Sequence, residues 1–168
     1  MKRILATVAV VVFAAGFVPK SAQAAEKFAY VDLARTFSEY NKTKDYDKVL
    51  TEKENVYTAE RDKKIADIKQ LQDKMNLLSD KEKEAKKSDF ETKVKAVQEY
   101  DRQKQTDLRK EQNDKMKEIL QDIEEAVKKY SQQEGITFVL NDRVLVYQEK
   151  SYDISDKIIA ALNKSYKK

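Results

Sequence analysis

The sequence predicts an α+β protein in which a small β body, built from strands at both ends of the chain, carries a long antiparallel α-helical coiled-coil hairpin. Three observations point there. Charged residues make up 38% of the chain, and beyond residue 24 it contains a single glycine, Gly135, and no proline. Loops need turn residues, so such a chain has few loops. Between about Ala34 and Tyr130 the apolar residues step by threes and fours, the spacing of a narrow helical seam. Short aromatic and β-branched runs stand on either side of this stretch: KFAYVDL at 27–33, and ITFVL with VLVYQ after Gly135.

The first 24 residues have a Lys2/Arg3 start, an apolar run from Ile4 to Val18, Pro19 and then Ala22-Gln23-Ala24. This is the layout of a secretory signal peptide, with cleavage before Ala25. A retained membrane anchor is the alternative, but the run is shorter than the roughly 20 apolar residues that cross a bilayer. The mature protein is then an exported one. Cleavage removes Lys2, Arg3 and Lys20 and no acid, leaving 31 bases against 30 acids. Finely alternating charge of this kind makes a solvated helix surface, not a patch for nucleic acid. The chain has no Cys and no His, which removes thiol nucleophiles, imidazole bases and the usual ligands of zinc. Its carboxylates stand in no apolar pocket that would tune them. No enzyme, metal, cofactor or nucleotide is expected.

In the middle region Leu33, Phe37, Tyr40, Tyr46, Val49, Leu50, Val56 or Tyr57, Ile65, Ile68, Leu71, Met75 and Leu78 form one seam, and Phe90, Val94, Val97, Leu108, Met116, Ile119, Ile123, Val127 and Tyr130 a second. The segment LSDKEKEAKKSD between them has no seam residue, and its Ser79-Asp80 and Ser88-Asp89 pairs suit a helix N-cap. A single continuous rod is the competing arrangement. The hairpin is preferred because it returns the chain to the flanking strands, which belong in one sheet. Folding about residue 83 then brings two polar stretches face to face: EKENVYTAERDKKIA at 52–66 and YDRQKQTDLRKEQND at 100–114, the latter with Leu108 as its one aliphatic residue. With so little apolar surface to bury, the hairpin is expected to be firm at base and tip and compliant between.

At the C-terminal end Gly135 suits a helix C-cap, Asn141-Asp142 suits a tight turn between two strands, and Ser155 suits the N-cap of a last helix whose Ile158, Ile159 and Leu162 form an apolar face. The body then comprises residues 25–33 and 132–168, and the hairpin 34–131. About 45 residues make a marginal core on their own. The strands are apolar on both faces, and an uncovered face calls for self-association; Phe28, Tyr30, Ile136, Phe138, Leu140, Val144 and Val146 are the candidates for the shared core. A monomer that covers the second face with its own helices is the alternative.

FAYVDLARTF near the start, EAVKKYSQQEGITFVL and the closing YDISDKIIAALN resemble the Skp/OmpH family of periplasmic chaperones across the whole mature chain. The resemblance implies a homotrimer with a shared β-barrel and three helical tentacles around a cavity, holding unfolded outer-membrane β-barrel proteins without ATP. Membrane lipid is left open as a further partner; the near-neutral mature chain departs from the basic members of the family, and no lipopolysaccharide site is carried over. Tyr57, Ile65, Leu77, Leu78 and Phe90 are the candidate client contacts, as apolar or aromatic residues among alternating charges. The rival function is an envelope scaffold or spacer whose coiled coil binds one specific folded partner.

Overall fold

A computed structural model describes residues 26–167; the expected leader at 1–24 lies outside the described residues. In chain order the elements are β1 (Phe28–Val31), α1 (Leu33–Glu39), α2 (Asn41–Asn76), α3 (Asp80–Glu134), β2 (Phe138–Asn141) and α4 (Ser155–Ser165), with short 3-10 turns at Asp142–Val144 and Lys150–Tyr152 between the last two. The helices α2 and α3, of 36 and 55 residues, pack against each other as a hairpin about 54 and 82 Å long on its two sides.

The chain enters α1 through Asp32, whose carboxylate accepts from the Arg35 amide at 2.8 Å. The seam then breaks at Tyr40, which takes an extended conformation at φ −68°, ψ 126°. No glycine or proline marks this break. It is held from outside, because the Asn163 amide on α4 donates to the Glu39 carbonyl at 3.2 Å and accepts from the Asn41 amide at 2.7 Å. One side chain thus satisfies a carbonyl and an amide that a continuous helix would have paired internally.

The turn between α2 and α3 is Leu77-Leu78-Ser79, a few residues earlier than the expected fold point at 83. Ser79 is the N-cap of α3, and the Glu82 carboxylate reaches back to accept from its amide at 3.0 Å and its hydroxyl at 2.5 Å. This reciprocal arrangement satisfies amides that the first helical turn leaves unpaired. The shift in turn position shifts the pairing of the arms, so that Lys53 faces Glu111 and Arg61 faces Asp101. At the far end Gly135 adopts the left-handed conformation, φ 65° and ψ 34°, and its amide bonds back to the Ser131 carbonyl. A side chain there would strain the backbone.

The sheet has two strands, paired in parallel with Phe28 opposite Phe138 and Tyr30 opposite Leu140. Parallel neighbours need a long crossover, and the helical hairpin is that crossover. Ala29, Val31 and Val139 point inward and join Tyr40, Ile119, Ile123, Ile154, Ile158 and Leu162 in the core. The core therefore sits where the base of the hairpin meets the sheet and α4.

Two expectations are corrected. VLVYQ forms no strand: the chain turns at Asn141, whose side chain accepts from the Arg143 amide, and passes through the 3-10 turn at Asp142–Val144. A strand needs a ladder to satisfy its amides and carbonyls, but within one chain β1 is taken by β2, and Tyr30 also bridges to Asp153. Within the single chain Val144 and Val146, candidates for the shared core, stand 68% and 106% exposed. Ser155 is the first residue of α4 rather than its cap. Its hydroxyl accepts from the Asp32 amide at 2.9 Å, and Asp153 Oδ1 accepts from the Ser155 amide at 2.8 Å in its place.

Candidate functional site

The hairpin changes character along its length. At the base, Ile119 and Ile123 are 1% exposed, and Lys42 on α2 lies 2.7 Å from both Glu118 and Asp122 on α3. The Tyr40 hydroxyl also donates to Asp122, at 3.1 Å. Burial, together with the hydrogen bond to Asp122, pushes the Tyr40 phenol up to about 12. Desolvation disfavours the charge on Lys42, but its bonds to Asp122 and Glu118 prevail and raise its pKa. Hydrogen bonds from Lys115 and Lys42 lower Glu118 to about 2. Apolar packing and a satisfied ion cluster together fix the arms where they leave the body.

The midsection is sealed differently. The Tyr57 hydroxyl on α2 donates to Asp101 on α3, and the Tyr100 hydroxyl on α3 donates to Glu60 on α2. The two bonds run in opposite directions across the interface. Arg61 Nε adds a bond to the same Asp101 carboxylate at 2.9 Å, and Gln105 reaches the Tyr57 hydroxyl at 3.3 Å. The two rings lie 6.3 Å apart with their planes tilted by 32°, and Lys64 Nζ stands 4.7 Å from the centre of the Tyr100 ring. One turn further toward the base, Lys53 meets Glu111 at 2.6 Å. The hydrogen bond from Tyr100 to Glu60, with some desolvation, pushes the Tyr100 phenol up to about 12. A groove of about 510 Å³ opens beside this cluster, floored by Val49, Val56, Tyr57 and Leu108 and rimmed by charges of both signs.

Toward the tip, Ile68, Leu71 and Val97 line a second groove, of about 420 Å³. Leu77, in the turn itself, is 88% exposed.

The five candidate client contacts fall on this arm but do not form one pocket. Tyr57 is half-buried in the polar cluster, Ile65 is exposed two turns along α2, Leu77 stands at the tip, and Leu78 and Phe90 are half-buried near it. Tyr57 and Leu77 are twenty residues apart, or about 30 Å along the helix. They make a string of separate contacts. Tyr100, Glu60, Arg61 and Asp101 were not singled out from sequence. The available signal was the pair of tyrosines, each with an acid close by: Glu60 three residues after Tyr57, and Asp101 next to Tyr100.

The body presents the second surface. Of the seven residues expected there, Tyr30 is buried and Ile136 packs half-buried against the core. Phe28 and Phe138 are each 50% exposed, their rings stacked with centroids 5.6 Å apart. Leu140, Val144 and Val146 are exposed as well, together with Tyr147 and Tyr152. Among the described residues no group of acids is placed to hold a metal ion, and no helix is long and apolar enough to cross a membrane.

A small sheet thus sits at the base of two long, partly sealed helices, with an apolar surface left open on the sheet. The chain belongs to the OmpH family: the description "Outer membrane protein (OmpH-like)" matches residues 27–162. In fold it is similar to a crystallised protein from Caulobacter crescentus CB15, described as a proposed outer membrane chaperone (OmpH-like). That similarity has a TM-score of 0.75 at 16% sequence identity and covers 84% of this chain and 86% of the other. No curated protein matches the sequence.

Proposed function

We propose that this chain is an ATP-independent periplasmic holdase that binds unfolded outer-membrane β-barrel proteins between helical arms and keeps them from aggregating. It works as a homotrimer, in which residues 25–33 and 132–168 form the assembly body, with a shared β-barrel, and residues 34–131 form each arm. Three arms enclose the cavity. Phe28, Tyr30, Ile136, Phe138, Leu140, Val144 and Val146 contribute to the shared core, and Tyr57, Ile65, Leu77, Leu78 and Phe90 touch the client.

One observation carries this reading. Among the described residues, large apolar side chains are exposed on the body, where a second copy can cover them, and scattered along the arm among alternating charges. Scattered contacts of this kind bind weakly one by one, but several arms acting on one client raise the effective concentration of binding surface. A client is thereby retained and still released. The uncovered edge of the two-stranded sheet supports closure with further copies, which would satisfy its unpaired amides and carbonyls.

The test is to dilute a urea-unfolded β-barrel membrane protein into the purified mature chain and follow light scattering. Suppression of aggregation at about one trimer per client is expected. No suppression, together with tight binding of one folded partner, would establish the scaffold function instead.

A further inference from the structure

We infer that Tyr57 and Tyr100 form a half-hidden client-binding site, closed in the empty protein by their reciprocal bonds to the opposite arm and opened when an unfolded segment takes their place. The inference rests on the holding function proposed above. It starts from a contrast within the hairpin. The base is sealed by Ile119 and Ile123, which water cannot replace, whereas the midsection is sealed by two hydroxyl–carboxylate bonds and the Arg61–Asp101 pair. Water can take over every one of those bonds, so the arms part here at far smaller cost than at the base.

Parting the arms exposes what the cluster conceals. The covered faces of both half-buried phenol rings become available, beside the groove that Tyr57 already floors with Val56 and Leu108. Beside them Glu60 and Asp101 lose their hydroxyl donors, and Arg61 loses its tight hold on Asp101. The opened site is therefore a row of rings with acceptors and a donor alongside. A strand of an unfolded outer-membrane barrel has the matching chemistry: apolar and polar side chains in alternation, and backbone amides and carbonyls without partners. Its apolar side chains lie on the rings, and its amides replace the tyrosine hydroxyls at the two carboxylates. A folded protein has satisfied those groups and gains nothing from the exchange.

Two double variants of the full mature assembly test this. Tyr57→Phe/Tyr100→Phe keeps both rings and removes both hydroxyls. It should raise the population of parted arms about 5- to 150-fold, read as a matching rise in amide hydrogen exchange confined to residues 55–63 and 98–106. Because apparent affinity is reduced by the fraction of protein that is closed, the same variant should hold a urea-unfolded barrel protein more tightly. Tyr57→Ala/Tyr100→Ala should exchange as fast or faster, yet hold the client more weakly than the unaltered protein, since the rings are gone. Unchanged exchange in the phenylalanine variant overturns the closure, and equal client affinity in the phenylalanine and alanine variants overturns the site. A failure of the unaltered protein to hold any client is a separate result: it removes the holding function and the inference with it, whatever the exchange shows.

Discussion

Val146 has no neighbour to lose among the described residues of its own chain. It is fully exposed, at 106% of the reference area, so in a monomeric protein Val146→Asp is a surface change and should alter stability by no more than about 0.5 kcal/mol. Assembly through the body gives a different magnitude. Phe28, Phe138, Leu140, Val144, Val146, Tyr147 and Tyr152 are 40–106% exposed. With aromatic side chains contributing about 150–250 Å² each when whole, together they expose on the order of 700 Å². That is close to the roughly 800 Å² each partner contributes to a standard stable interface. Covering Val146 alone is worth about 1.5 kcal/mol, and a carboxylate in its place adds a desolvation cost of several kcal/mol. The variant should therefore dissociate at least about 100-fold more readily per chain, while its far-ultraviolet circular dichroism stays that of a folded helical hairpin. Mass by light scattering across a dilution series reads the effect. A Val146→Asp protein that keeps the mass and dilution behaviour of the unaltered protein would refute the assignment of this surface to assembly.

Ile123→Ala, at a core position 1% exposed, should cost about 3 kcal/mol in urea unfolding, with fraying that starts at the base of the arm. Glu118→Gln tests the ion cluster by its pH dependence. The bonds from Lys115 and Lys42 hold Glu118 at about 2, below its ordinary 4.5, so its contribution is complete above pH 4.5 and fades as the pH falls toward 2. The side chain is 42% exposed, and after solvent screening the substitution should cost about 1 kcal/mol at pH 7 and nothing measurable near pH 2. Gly135→Ala places a Cβ where nothing lies within 4 Å, so its cost is backbone strain alone at φ +65°, about 1 kcal/mol by thermal melting.

Local signals decided which parts of this structure were legible in sequence. The hairpin, the Ser79 cap and the Gly135 cap are written in residues close to one another: a polar gap in the seam, a Ser with Glu three places on, a lone glycine after a long helix. The features that escaped are set by residues far apart. The break at Tyr40 has no breaker residue of its own and depends on Asn163, more than 120 positions away. The third strand was expected from the β-branched and aromatic content of VLVYQ, but content does not supply a ladder partner, and the described residues offer none. The midsection was weighed by its apolar surface, with Tyr57 counted and Tyr100 not, and so its seal went unseen: an apolar tally counts a ring but not its hydroxyl, and the hydroxyls of Tyr57 and Tyr100 make two of the cross-arm bonds. The arm's candidate contacts were found one at a time for the same reason, since no sequence spacing joins Tyr57 to Tyr100 until the position of the turn is known.

The mass and composition of the complex with an unfolded barrel protein bear most directly on the holding function. Three copies of this chain with one client, soluble under conditions in which the client alone precipitates, is the predicted result. A single chain bound to the client, or a trimer that leaves the client to aggregate, would contradict it.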